Sequence, residues 1–166
     1  MNEANEPPSR RFADVTFATN NLTVGLSVHT METSCGVVLV NYGTVLLLQY
    51  PQGHWDFPKG HVEDDDDSHH STAQRELAEE TGIDQIQFVD DFVERSEYSY
   101  RHRGKKKVKQ VYWYVAQTEQ ISVKLSHEHR GYMWLDWDMA EQQLSHEETK
   151  SVLRSARQHM SALGLE

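Results

Sequence analysis

A chain of 166 residues with a single cysteine and a net charge of −10 fits one domain that needs no disulfide bond. The 5 Phe, 7 Tyr and 4 Trp supply enough apolar surface for a folded core, although only 37% of the residues are hydrophobic. No apolar run reaches the ~18 residues of a membrane helix, and the N-terminus lacks a signal peptide's apolar segment, so we expect a cytoplasmic protein without membrane contact.

Residues 1–32 differ in composition from the rest of the chain. They are polar, contain Pro7 and Pro8, and show no sustained helical or strand period. We predict that they form an N-terminal extension and that residues 33–166 form the folded domain.

The first half of the predicted domain contains two core strands and a helix. The runs CGVVLV and TVLLLQ are β-branched and aliphatic, and Asn41-Tyr42-Gly43 between them predicts a hairpin. Residues 53–63 are expected to form loop and short strand. Ser68 or Ser71 then provides an N-cap for a helix that ends at Gly82.

The second half predicts further strands and a terminal helix. Residues 86–100 and 108–118 are strand-like, residues 132–137 form a shorter strand, and residues 138–163 have helical composition. This order of elements predicts an α/β (α+β) fold, a mixed β-sheet flanked by helices.

Charge is unevenly distributed along the chain. Six of the 16 Lys and Arg lie in residues 101–109, whereas residues 63–67 are five consecutive carboxylates. The first run could hold an anion and the second a cation, although either run taken alone is also typical of a solvated loop.

The predicted helix presents three carboxylates on one face. Glu76, Glu79 and Glu80 are spaced three and four apart, so 3.6 residues per turn align them. Arg75 can neutralise only part of this charge, and oxygen-only ligands suit the hard cations Mg²⁺ and Mn²⁺. A solvated charged helix is the alternative for this motif taken alone.

The surrounding residues resemble the Nudix box. The segment PKGHVEDDDDSHHSTAQRELAEETGI matches its Arg-Glu-aliphatic-x-Glu-Glu-x-Gly-aliphatic portion and its leading glycine. The resemblance implies the Nudix fold, a mixed sheet sandwiched between helices, and metal-dependent hydrolysis of a nucleoside diphosphate derivative. It also implies that Arg75 orients the carboxylates and that the metal ligands are Glu76, Glu79, Glu80 and the Gly60 carbonyl.

One position departs from the box. Counting seven residues back from Arg75 places Asp67 at the usual glutamate, and six rather than five residues then separate it from Gly60. We therefore expect Asp67 to belong to the metal site, with Asp66 as the alternative.

Three further segments resemble asymmetrical diadenosine tetraphosphate hydrolases: HWDFPKGHVE, SHEHRGYMWL, and the strand pair FVERSEYSY with KVKQVYWYVA. By position, this resemblance makes Tyr98 an adenine-stacking residue, with Tyr100 as its alternative. It implies that Glu128 is a further catalytic or metal-binding carboxylate beside the catalytic Glu79 and Arg75. The implied substrate-binding residues are His54, Lys59, Tyr98, Lys107 and Lys109. Where the family has another aromatic residue near the C-terminal helix, this sequence offers His146.

The sequence therefore predicts a nucleoside polyphosphate as the small-molecule substrate, with cleavage of diadenosine tetraphosphate to AMP and ATP. Two alternatives stay open. The basic run could follow the phosphates of a 5′-triphosphorylated RNA, as in an RNA 5′-pyrophosphohydrolase. A non-catalytic nucleotide sensor is the other, although such a module would not need the complete carboxylate set.

Overall fold

The computed structural model describes residues 31–166. They form eight strands and three helices in a mixed α+β fold. The strands are β1 (Met31–Asn41), β2 (Thr44–Gln49), β3 (Trp55–Asp56), β4 (Lys59–His61), β5 (Gln87–Phe88), β6 (Glu94–His102), β7 (Lys105–Gln117) and β8 (Gly131–Asp136). The helices are α1 (His69–Thr81), α2 (Trp137–Gln143) and α3 (Glu147–Ala162).

The sheet is organised around β1. This strand pairs in parallel with β7 and antiparallel with β2 and β4. Strand β2 also pairs antiparallel with β3 and β8, and β7 pairs antiparallel with β5 and β6. The sheet is mixed, as predicted.

Strand β1 is apolar on both faces because each face packs against a helical layer. Its alternate residues Cys35, Val37 and Leu39 belong to the core cluster that contains Leu77 of α1. Val38 and Val40 belong to the opposite cluster with residues of α2 and α3. The predicted arrangement of a sheet between helices is confirmed.

Both long hairpins turn through left-handed backbone. Tyr42 and Gly43 have φ of 42° and 77°, and Arg103 and Gly104 have φ of 49° and 77°. Two consecutive residues with positive φ match the twist of paired strands in a two-residue turn. The hairpin predicted at residues 41–43 is confirmed.

Helix α1 begins and ends as its sequence predicts. Ser68 and Ser71 cap each other reciprocally, each side chain accepting from the other's backbone N–H at 3.1 and 2.9 Å. Gly82 ends the helix with φ of 72°, and Leu77 is fully buried against the sheet.

Two element predictions were too coarse. The C-terminal helical segment is broken at Ser145, whose backbone and side chain bond to the backbone of Trp55 at 3.2 and 2.8 Å. The strand-like segment 86–100 is broken into β5 and β6 by a turn in which Asp91 has φ of 59°. Strand β1 as described spans Met31–Asn41 and so includes the predicted boundary at residue 33, and the division into extension and domain stays a prediction. Within residues 31–166, no helix is long and apolar enough to cross a membrane.

Candidate active site

The three helix carboxylates lie on one face of α1 but differ in exposure. The side chain of Glu79 is 59% exposed, whereas those of Glu76 and Glu80 are 13% and 5% exposed. Glu80 reaches β4, where its Oε2 accepts from the backbone N–H of Lys59 at 3.1 Å. The helix face therefore carries one solvent-facing carboxylate and two that point into the structure.

Arg75 joins the helix to the preceding loop. Its Nη1 donates to Glu76 at 2.9 Å and to Glu79 at 3.3 Å, and its Nη2 donates to the His61 carbonyl at 2.9 Å. A planar guanidinium with five donors suits this set of partners. The geometry agrees with a role for Arg75 in orienting the carboxylates.

The acidic loop residue that faces Arg75 is Asp66. Arg75 binds its carboxylate with two bonds of 2.9 and 2.8 Å, and the same carboxylate accepts from Thr72 Oγ1 and from the Glu63 backbone N–H. The Arg75 guanidinium is the main cause that holds the pKa of Asp66 well below its ordinary value. Asp67 is exposed, and no hydrogen bond from another described residue reaches its side chain. Asp66, the alternative of the sequence analysis, is thus the aspartate that contacts Arg75, and the metal-binding role of Asp67 stays a prediction.

Gly60 lies directly against Glu76. A Cβ at this position would come within 1.9 to 2.3 Å of the Glu76 carboxylate atoms. No side chain fits here unless Glu76 moves, so the glycine lets the backbone of β4 approach the carboxylate face closely.

Burial disfavours the ionised form of the carboxylates on α1. Desolvation raises the pKa of Glu80 to about 8, with a further contribution from Glu76, and desolvation also raises the pKa of Glu76. Glu128, on the loop before β8, is itself exposed and contributes to both shifts. Glu76, Glu79, Glu80 and Glu128 therefore form one electrostatic group.

Sequence reasoning missed His129, which follows Glu128. Its side chain is buried, its ring packs edge-on against Tyr50 with centroids 4.6 Å apart, and its Nε2 lies 3.8 Å from Glu80 Oε1. Within residues 31–166, no hydrogen-bond partner of Nε2 is present. The repeated histidines of SHEH gave no ligand spacing, and only the fold brings this one to Glu80.

The donor set suits a hard divalent cation by type. It offers several ionisable oxygens whose charges repel one another, and a cation would relieve that repulsion. Among the described residues 31–166, no three His, Cys, Asp or Glu side chains already have the spacing of a bound ion. Arg75 bonds to both Glu76 and Glu79, so a metal ion would compete with the guanidinium for these two side chains.

A cleft of about 610 Å³ is lined by residues of β4, β6 and β7, among them Lys59, whose backbone N–H bonds to Glu80. Four of the five predicted substrate-binding residues line it: His54, Lys59, Tyr98 and Lys109. Tyr98 is 39% exposed, and it lies opposite Lys109 in the β6–β7 pair. The cleft therefore combines an accessible aromatic ring with basic side chains.

Lys59 is held rigidly in the cleft wall. Its Nζ donates to Tyr50 Oη and to Asp56 Oδ2, each at 3.0 Å. Burial alone lowers the pKa of Lys59, but Asp56 and Tyr50 offset this and keep the ammonium charged. His54 stacks on Tyr50 with centroids 4.7 Å apart, and burial followed by Lys59 lowers its pKa. Tyr50 and Asp56, which sequence reasoning did not select, organise this wall.

Lys107 is the predicted substrate-binding residue that does not line the cleft. Its Nζ donates to Glu32 Oε1 at 2.7 Å, and Tyr100 Oη donates to Glu32 Oε2 at the same distance. Glu32 precedes the predicted domain boundary, so no local pattern predicts its pairing with the hairpin.

His146 lies across from the aromatic wall, at the start of α3. Its ring centroid is 5.4 Å from that of His54, and the residue is exposed and lines the cleft. It is thus placed where the sequence comparison expected a side chain near the C-terminal helix.

These features, a sheet between helices, a helix that carries the carboxylates and a cleft lined by Tyr98, Lys59 and Lys109, agree with the family comparison. The chain matches the model of the NUDIX domain family over residues 30–155. It therefore belongs to the Nudix family of pyrophosphohydrolases, and the resemblance seen in residues 60–83 is confirmed. Nudix hydrolases generally need a divalent metal ion.

Among its relatives are asymmetrical bis(5′-nucleosyl)-tetraphosphatases. The Rattus norvegicus protein is 40% identical over 119 residues, which span 69% of this chain and 79% of the relative. The Sus scrofa protein is 38% identical over 123 residues, spanning 71% and 81%. A crystal structure of a Caenorhabditis elegans Ap4A hydrolase binary complex superposes with a TM-score of 0.67 at 28% identity, covering 79% of this chain and 98% of the other.

Proposed function

We propose that the protein hydrolyses diadenosine tetraphosphate asymmetrically, to AMP and ATP, with Mg²⁺ as its metal ion. The relatives that match it over two thirds of its length carry this activity in their names. The substrate fits the cleft chemically, because the cleft offers an aromatic ring for a base and ammonium groups for phosphates.

One observation carries the proposal: the cleft and the carboxylate face meet at Lys59. The backbone N–H of Lys59 bonds to Glu80, while its side chain lines the cleft. A phosphate chain that pairs with Lys59 in the cleft would therefore lie beside the strand that contacts the residues that would hold a metal ion.

We assign the metal-binding role to Glu76, Glu79, Glu80 and the Gly60 carbonyl. Among the glutamates of the site, Glu79 and Glu128 are the exposed ones. When bound, Mg²⁺ would neutralise charge that builds on the phosphate and lower the pKa of a water molecule. Arg75 keeps the carboxylates in place through Asp66 and the His61 carbonyl. Because Glu79 and Glu128 are exposed, either can accept a proton from an attacking water.

The basic wall binds and orients the substrate. Tyr98 stacks on one adenine, and Lys59 and Lys109 pair with phosphate oxygens. A chain held in one register presents a single bond to the attacking water, so an asymmetric site yields an asymmetric cut.

The test is the identity and labelling of the products. Diadenosine tetraphosphate is incubated with Mg²⁺ in heavy-oxygen water, and both products are weighed by mass spectrometry. We expect AMP and ATP, with the heavy oxygen in AMP. Two ADP molecules would contradict asymmetric cleavage, whereas label in ATP would show that water attacks the second phosphorus of the chain, with AMP as the leaving group.

A second candidate substrate is a 5′-triphosphorylated RNA, because the hairpin residues Arg101, Arg103 and Lys105 are exposed. Turnover is compared on a panel of diadenosine polyphosphates, nucleoside triphosphates, ADP-ribose and triphosphorylated RNA. Preferred cleavage of RNA would favour the RNA pyrophosphohydrolase, and binding without cleavage of any member would favour the nucleotide sensor. The cytoplasmic location stays a prediction, which cell fractionation would test.

A further inference from the structure

Glu32 brings a negative charge to the basic end of the cleft. It lies on β1 opposite Lys109 of β7, and its carboxylate lines the same cleft as Lys109 and Tyr98. A carboxylate inside a cleft that binds polyphosphates opposes the charge of the ligand.

The Glu32 carboxylate also accepts hydrogen bonds from two neighbouring side chains of the hairpin. Lys107 and Tyr100 are opposite each other in the β6–β7 register, and each donates to one oxygen of Glu32 at 2.7 Å. Both donors are therefore used within the protein, and neither is directed to a ligand in the cleft.

We propose that Glu32 is a specificity-determining residue that disfavours long phosphate chains, by repelling them and by holding Lys107 and Tyr100 away from them. The inference rests on the proposed function and deepens it. Each added phosphate adds negative charge to the ligand. A longer chain is therefore repelled more by Glu32 and would be bound more tightly by a released Lys107. Specificity then comes from the repulsion of phosphate chains by Glu32 together with their attraction by Lys59 and Lys109.

The charge state of Glu32 supports this role. The hydrogen bonds from Lys107 and then Tyr100 lower the pKa of Glu32 to about 2. The carboxylate is therefore ionised throughout the pH range in which a hydrolase is assayed, and chain-length selection should not vary with pH there.

The test compares Glu32→Gln with the wild type on dinucleoside polyphosphates of three to six phosphates. Gln keeps the size and a carbonyl acceptor but removes the charge. We expect kcat/KM to change less than about twofold for the triphosphate and to rise by about three- to tenfold for the pentaphosphate and hexaphosphate, as the strength of such exposed pairs allows. The rise should shrink with added salt.

Two further variants separate selection from general charge and from folding. Glu97→Gln removes an equal charge from β6, where Glu97 pairs with Arg95 at 2.6 Å and does not line the cleft, so it should leave the chain-length profile unchanged. Lys107→Met should have little effect alone but should reduce the gain in the Glu32→Gln background to the part that comes from the lost repulsion. Independent effects of the two substitutions would overturn the assignment of Lys107.

Equilibrium binding of inorganic tripolyphosphate and longer inorganic polyphosphates, measured by calorimetry, provides a readout without turnover. Glu32→Gln should tighten binding of the longer anions more than that of tripolyphosphate. If the wild type is hydrolytically active but the wild type and Glu32→Gln bind all chain lengths with the same profile, only the role of Glu32 is overturned. A wild type that cleaves no dinucleoside polyphosphate would instead overturn the proposed function, while the calorimetry would still test the charge selection.

Discussion

The carboxylate face of α1 and the β6–β7 hairpin carry opposite charges, and the protein holds them in different ways. On α1, the burial of Glu76 and Glu80 leaves their charge poorly solvated, and Arg75 bonds to Glu76, Glu79 and the loop residue Asp66. On the hairpin, most basic residues are exposed, and Lys107 is paired through a single carboxylate from another strand.

This difference suggests that the carboxylate face of α1 performs the chemistry and that the β6–β7 hairpin selects the substrate. Buried charges in a low-dielectric environment interact strongly and tolerate little displacement, whereas exposed charges are screened by water and salt. Substitutions of the α1 carboxylates should therefore cause large losses of turnover, and the losses at the buried Glu76 and Glu80 should respond little to salt. Substitutions on the hairpin should cause small, salt-sensitive changes in binding.

The largest expected effect is at Glu79. Glu79→Gln should lower kcat on the order of 10²- to 10³-fold, because it removes a negative ligand at the reacting centre. The melting temperature should hardly change, since the side chain is 59% exposed. Glu147→Gln, which alters an exposed residue paired with Arg154, is the matched control. A near wild-type rate for Glu79→Gln in Mg²⁺ would remove Glu79 from the metal site.

The adjacent aspartates of the loop provide the next test. Asp66→Asn replaces a carboxylate that accepts two bonds from Arg75 and should lower kcat/KM by about 10- to 100-fold, as expected for hydrogen bonds between charged groups. Asp67→Asn should cost less than about threefold, because Asp67 is exposed. Steady-state kinetics on both variants decides between them, and the reverse order would restore Asp67 to the site.

Glu80 should make the stability of the metal-free protein depend on pH. Its pKa is raised to about 8 in the folded state, above its ordinary value of 4.5, so the folded state binds the extra proton between these values. This contribution to stability is present below about pH 4.5 and is lost as pH rises through 8. Glu80→Gln removes it.

We therefore expect Glu80→Gln to raise the melting temperature by roughly 2–4 °C more at pH 8.5 than at pH 5 in a chelator. Glu79→Gln, which changes the neighbouring exposed carboxylate, serves as the control. The same gain at both pH values would show that Glu80 is not the titrating group.

The two hairpin lysines should differ. Lys109 lines the cleft, so Lys109→Met should raise the KM for diadenosine tetraphosphate by about three- to tenfold, and less at high salt. Lys107 is paired with Glu32, so Lys107→Met should raise it by less than about twofold. Michaelis constants at two salt concentrations measure both effects. Equal, salt-independent losses would instead indicate that these lysines stabilise the hairpin.

The smallest effect is expected from the N-terminal extension. Deleting residues 1–30, which lie outside the described residues, should leave activity and melting temperature nearly unchanged, because this polar segment shows no apolar period. Deletion through Thr33 should lower the melting temperature more, since it removes the start of β1 and Glu32 with it. A large loss with the shorter deletion would point to docking through Phe12, Val15 or Phe17.

Local sequence determined the elements whose signals lie within a few residues. The spacing of Glu76, Glu79 and Glu80 places them on one face of any helix, and Ser68 and Gly82 delimit that helix through backbone bonds close by. The strands around Tyr42-Gly43 follow for the same reason, since the turn sets their register. The carboxylate face and the β1–β2 hairpin were therefore predictable.

Tertiary structure alone decided the contacts between distant segments. Glu32 meets Lys107 across 75 residues, and Ser145 interrupts a helical segment by bonding to Trp55, 90 residues away. The contact of Arg75 with Asp66 rather than Asp67 depends on how the loop folds back on the helix. Such contacts depend on which strands become neighbours in the sheet, and that is set by the burial of the whole core rather than by any local period.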